Sequence, residues 1–144
     1  MVDYEEYANT RWLEFLDDAP LKPKGAQLAA ETDRWFGHIA GCYEVWFDRL
    51  TGTEAEKSES IREEFHYHYQ RMRQFISTCN LEERGARIES EEWGIWEWQT
   101  SDVIFHALSH GMYHRGQIRA ICQAHGFSDW PDTDWEEFTG KRIS

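Results

Sequence analysis

In four separate stretches of this chain, apolar residues return at steps of three and four, a period that fits helices and not strands. In the first, running from Tyr4 to Leu16, Tyr4, Ala8, Trp12, Phe15 and Leu16 share one face, and Pro20 and Pro23 mark the exit. The second carries Phe36, Ile39, Tyr43, Trp46 and Leu50, and ends before Gly52 in a C-terminal cap position. The third opens near Thr53 or Glu54 and carries Ile61, Phe65, His68, Met72, Phe75 and Cys79. The fourth is capped by Thr100 or Ser101, places Asp102 against its N-terminus and stops at Gly126. Between Arg87 and Gln99 the period changes, and Ile88, Trp93, Ile95, Trp96 and Trp98 read as strand formers around a turn at Trp93-Gly94. The expectation is an all-α four-helix bundle with a short hairpin before its last helix, forming one domain over residues 1–144.

Within the fourth stripe, His110 and His114 fill the gap between Val103 and Ala107 on one side and Ile118 and Ile121 on the other. Residues four apart stack one turn apart on the same helix face, so the two imidazoles can grip one ion from one side. Polar rings in an apolar seam need partners, because a buried polar group without one is costly. A metal would satisfy both.

Two histidines leave an ion underbound, and the residues alone keep several third ligands open. His106 continues the series, but it lies about 12 Å along the axis from His114, too far for one ion to hold all three. His68 occupies a seam position on the third helix. His38 lies at the margin of the second helix's apolar face, with Cys42 four residues on as a neighbour of any metal there. His66 and His125 show no convergent pattern and read as surface residues.

The net charge of -12 argues against nucleic acid and against an anionic membrane surface as partners. No apolar run reaches the roughly eighteen residues of a membrane span, and the acidic start lacks the pattern of a signal peptide. Cys42, Cys79 and Cys122 are odd in number and widely spaced, which reads as reduced core thiols in a cytoplasmic protein. The many Trp rings also read as core, not as an interaction surface.

The run Tyr113-His114-Arg115-Gly116-Gln117-Ile118, followed by Pro131-Asp132-Thr133-Asp134, resembles the DinB/YfiT-like family of bacterial metal-binding four-helix bundles. Tyr4-x-x-Tyr7-Ala8-Asn9-x-Arg11-Trp12-Leu13 is similar to that family's opening helix, with Tyr7 where the family often has Trp. The resemblance spans about Tyr4 to Phe138. It implies an up-down-down-up bundle whose metal is held by one histidine of the second helix and the paired histidines of the last. Trp35-Phe36-Gly37-His38-Ile39 looks like that second-helix position, so the implied ligands are His38, His110 and His114, and His68 becomes a core residue.

Three neutral imidazoles leave an open coordination position and suit zinc or nickel, with Fe²⁺ and Co²⁺ also compatible. Some relatives are metal-dependent transferases that activate a low-molecular-weight thiol such as bacillithiol or mycothiol, and members of the family are often dimers. The resemblance therefore implies a thiol transferase, or a hydrolase if water takes the thiol's place, acting on a small molecule, with a homodimer as the expected assembly. A non-enzymatic, stress-related bundle with a structural metal is the alternative. Arg115 reads either as a grip on an anionic substrate or, preferably, as half of a structural ion pair.

Overall fold

The computed structural model describes residues 1–19, 24–56, 58–82, 84–92 and 94–140, so Pro20, Pro23 and Trp93 lie outside the described residues. Its elements are α1 (Val2–Asp18), α2 (Gly25–Thr51), α3 (Ile61–Thr78), β1 (Arg84–Ser90), β2 (Gly94–Gln99), α4 (Thr100–Ala124) and α5 (Trp135–Thr139). The chain is mostly helical with a small two-stranded antiparallel sheet. The four long helices share one core, in which Leu28, Phe36, Ile39, Tyr43, Phe47, Tyr69, Met72, Leu108 and Ile118 are fully buried.

Particular pairs fix how the helices meet. Arg73 of α3 bonds Asp3 and Glu6 near the start of α1, while Arg62 bonds Asp17 near its end. Phe36 and Phe47 of α2 meet Phe65 and Phe75 of α3. Trp46, His38 and Glu31 of α2 meet His106 and His110 of α4 and its C-cap His125.

Helix α3 opens at Ile61 and not near Thr53, because Ser60 is its cap: the hydroxyl accepts the Glu63 amide at 3.3 Å. The residues before it, Thr53-Glu-Ala-Glu, offer nothing bulky to bury. Instead the crossover is tied back along α3, its Thr53 carbonyl on Arg71 at 2.5 Å and its Glu56 amide on the Tyr67 hydroxyl at 3.4 Å. An extended chain covers about twice the distance per residue that a helix does, which such a return path needs.

The hairpin forms as an antiparallel pair from Arg84↔Gln99 to Ser90↔Gly94, with a register irregularity between Arg84 and Ala86. Gly85 sits at that irregularity. A Cβ there would stand 2.5 Å from both Leu50 Cδ2 and Thr100 Oγ1, so only glycine lets the strand lie this close to α2 and α4. Strand β2 runs directly into α4 through Gln99, whose backbone is extended, and neither Thr100 nor Ser101 caps the helix. The Ser101 amide is satisfied by the Leu81 carbonyl at 3.1 Å. At the other end Gly126 adopts φ 83° and the Phe127 amide returns to the Cys122 carbonyl at 3.0 Å, a Schellman-type stop.

Three other expectations are corrected. A fifth, short helix follows α4. Tyr4 and Trp12 hold Thr133 of the Pro131-Asp132-Thr133-Asp134 segment at 2.8 and 3.2 Å, which brings Trp135 and Phe138 of α5 onto Tyr4. Among the described tryptophans only Trp12 is fully buried, while Trp96 and Trp135 are exposed. Cys79 is the half-buried C-cap of α3, whereas Cys42 and Cys122 are buried; all three are free thiols.

A polar knot at the centre ties the four long helices together. Glu5 is 0% exposed and Arg115 4%. Arg115 donates to Glu5 Oε1 at 2.6 Å, to Glu5 Oε2 at 2.8 Å and to Asn9 Oδ1 at 2.7 Å. Tyr43 of α2 donates to Glu5 Oε2 at 2.7 Å, and Asn9 donates to the Tyr69 hydroxyl of α3 at 2.6 Å. Burial works against the guanidinium's charge, but the Glu5 bond and charge outweigh it and raise its pKa. Gly111 supplies the room, since a Cβ there would lie 2.2 Å from Glu5 Oε2.

Two glycines of α4 should therefore respond oppositely to alanine. Gly116→Ala, where a Cβ meets nothing within 4 Å, should stabilise by up to about 1 kcal/mol through helix propensity. Gly111→Ala should destabilise by about 3–5 kcal/mol, the scale of breaking a buried pair. Urea unfolding of both variants measures the difference, and two stabilising alanines would refute the role assigned to Gly111.

Candidate metal centre

His110 and His114 lie at the border of the buried face of α4, not at its middle. The buried set on that helix includes Ile104, Ala107, Leu108, Gly111, Arg115, Ile118 and Cys122, with His114 at 5% exposure and His110 half-buried. The knot around Arg115 sets this rotation by drawing the opposite flank of α4 toward α1. The two imidazoles are left pointing at α2, where His38 stands on an exposed position.

There the three rings converge. His110 Nε2 lies 3.1 Å from His38 Nε2 and 3.0 Å from His114 Nε2, and one donor atom from each ring lies within 4.8 Å of the others. Nitrogens about 2.0–2.1 Å from a tetrahedral zinc ion stand about 3.4 Å apart, and the two separations from His110 lie within a few tenths of an ångström of that spacing. His114 Nδ1 bonds Gln117 Oε1 at 2.6 Å, which places the Nδ1 proton on that bond and leaves Nε2 as the lone-pair atom. Trp35 stacks on the same ring, with centroids 4.9 Å apart, and fixes its plane. Sequence reasoning missed both Gln117 and Trp35, although each lies three residues from a histidine of the triad on the same helix.

The electrostatics favour neutral rings. Burial, then the neighbouring histidines, lowers the His110 pKa to about 4. Burial also lowers that of His114, against the Gln117 bond, which raises it. Both present lone pairs near neutral pH, as metal ligation requires.

The other candidates separate cleanly. His68 is a core residue on α3, against the Tyr43 ring and 3.9 Å from Glu64 Oε1, and outside the histidine triad. His66 is exposed and bonds Gln70 at 2.8 Å. His125 is not a free surface residue, since it is half-buried and pairs with Glu31 at 3.1 Å. Arg115 has its guanidinium filled by Glu5 and Asn9, which settles its two readings in favour of the ion pair. Cavities of about 520 and 460 Å³ are lined by other residues than the triad: the larger, mostly apolar, by Val2, Ile104 and Leu108 among others, the smaller beside Arg115 and Trp135.

Three imidazole nitrogens converging between two helices define a helical protein with a candidate metal centre. The DinB family profile matches residues 4–137, and the chain belongs to the DinB family. One curated relative, Protein DinB of Bacillus subtilis (strain 168), is 29% identical over 83 residues, which cover 58% of this chain. The matched part spans about half, 48%, of that relative's length. No solved structure gives a significant match. Among the described residues no helix is long and apolar enough to cross a membrane.

The lowered His110 pKa has a consequence for acid stability. A histidine that resists protonation in the fold contributes stability above its unfolded pKa of about 6.5, and loses it as pH falls toward the folded value. Metal-free wild type should therefore lose more thermal stability between pH 7 and pH 5 than metal-free His110→Gln, as read by melting in chelator at both pH values. An equal or smaller loss in the wild type would remove the burial argument.

Proposed function

We propose that this DinB-family protein binds one divalent transition metal, zinc or nickel, through His38, His110 and His114, and uses it to activate a low-molecular-weight thiol or water. The reading rests on the convergence of three Nε2 atoms, with 3.0–3.1 Å between neighbours, on one neutral, oriented imidazole pair and one exposed partner. When bound, such a metal lowers the pKa of a coordinated water or thiol and yields a nucleophile near neutral pH. The chain's own contribution is to hold the nitrogens together. Gln117 fixes the tautomer of His114, Trp35 fixes its plane, and the Arg115 knot fixes the phase of α4.

The contacts of α1 with α3, α2 with α3 and α2 with α4 support an up-down-down-up bundle, with α2 and α3 running in the same sense. The exposed flank at His38 suits a ligand arriving from solvent, and a neutral ligand set favours an anionic fourth partner such as a thiolate. Thiol S-transfer is the leading activity and hydrolysis its variant. The alternative, a structural metal in a non-enzymatic stress-related bundle, draws on one observation: the two large cavities are lined by other residues than these histidines.

Cobalt substitution separates the readings. In the Cys42→Ser background, elemental analysis should give one metal per chain, lost in His38→Ala and kept in His68→Ala. Adding a small thiol to the cobalt protein should produce an intense sulfur-to-cobalt charge-transfer band in the Cys42→Ser background and none in His114→Ala. If millimolar thiol leaves the cobalt spectrum unchanged, the transferase reading fails and a structural metal takes its place. Saturating metal, at about a hundred times its dissociation constant, should also stabilise the fold by roughly 2.7 kcal/mol.

A further inference from the structure

The seam between α2 and α4 repeats its chemistry one turn along. On two helices packed in opposite senses, moving four residues forward on one and four back on the other reproduces the same relative placement. Applied to His38, His114 and His110, that step lands on Cys42, His110 and His106. These three also converge, one donor atom from each lying within 4.8 Å of the others. Aromatic rings close the row at its two ends: Trp35 lies on His114 at 4.9 Å and Trp46 meets His106 edge-on at 5.2 Å, while the His106 and His110 rings stand 5.6 Å apart. The row from His114 to His106 is thus a continuous ladder of donors between two tryptophans.

We propose that Cys42, His106 and His110 form a second cation site, selective for a thiophilic d¹⁰ ion such as Zn²⁺ or Cu⁺, which shares His110 with the histidine triad. The difference from the first site is chemical. One imidazole is replaced by a sulfur, and thiolate donors select softer ions than an all-imidazole set. Binding expels the Cys42 thiol proton to solvent and forms one metal–sulfur and two metal–nitrogen bonds, with no change of oxidation state; when both sites fill together, His110 bridges them as an imidazolate and its remaining ring proton also passes to solvent. The site is reachable, since His106 is exposed while Cys42 closes it from the core side. Sharing one ring ties the two sites together, so loss of His110 should weaken both.

Cadmium tests this, because thiolate ligation gives it an ultraviolet charge-transfer band that imidazole ligation does not. The full-length metal-free protein is titrated with Cd²⁺ alone in a phosphine reductant, with absorbance and bound metal read together. Wild type should develop the band and bind more than one equivalent. Cys42→Ser and His106→Ala should each lose the band and keep the first equivalent, whereas His38→Ala should keep the band. Because His106 is exposed, its variant guards against a folding defect in Cys42→Ser, and a melt of each variant checks this. Cys79→Ser and Cys122→Ser should leave the band in place. A band that survives Cys42→Ser, disappears with Cys79→Ser, or ignores His106→Ala would overturn the second site, as would its absence from wild type. The first site would still be judged by whether His38→Ala loses an equivalent.

Discussion

The buried pairing of Glu5 with Arg115 is the constraint to which the rest of the molecule conforms. Two charges taken out of water are tolerated only when each is met by an opposite charge and further hydrogen bonds. Here every such bond comes from a different part of the chain: Asn9 on α1, Tyr43 on α2, and Tyr69 on α3 acting through Asn9. A helix dimension follows directly. Arg115 can reach Glu5 only if α4 carries no side chain at position 111, and Gly111 meets that condition at the cost of helix propensity. Once Arg115 is seated, the rotation of α4 is fixed, and with it the direction of His110 and His114.

The centre is therefore positioned from behind. On the α1 side, the knot locks the backbone of α4; on the α2 side, Trp35 and Gln117 lock the plane and tautomer of His114. Between these supports the histidines remain partly open, which is the combination a ligand-exchanging metal site needs: donors that do not wander and a face that solvent can reach.

The helices were legible because long amphipathic stripes reflect burial directly, and the i, i+4 spacing of His110 and His114 needed no tertiary knowledge. His38 was legible only through resemblance, since it lies at the margin of its stripe where periodicity carries no signal. Glu5 and Asn9 could not be found from pattern, because a buried charge looks like a surface charge until its partner is located. The early start expected for α3 failed for a related reason: polar residues before Ser60 are compatible with a helix locally, and only the need to travel back along α3 excludes one. Tryptophan was misread through size. A large ring covers apolar surface while leaving an edge in water, so Trp96 and Trp135 line the outside of the structure they help to seal.

The seamless junction of β2 with α4 makes this region sensitive to length in a way that no single side chain is. Each residue of an α-helix advances the azimuth by about 100°. One residue inserted between Gln99 and Thr100 would ask either the hairpin or the whole of α4 to turn by that angle. If α4 turned, the histidine row would leave α2 and Arg115 would leave Glu5. If the hairpin turned instead, Gly85 would lose its niche against Leu50 and Thr100. Breaking the buried charge pair is the costlier choice, so the hairpin would yield. Tolerated length changes in this protein belong at the tip of the sheet and in the crossover before Ser60, where the chain can lengthen without acting as a crank.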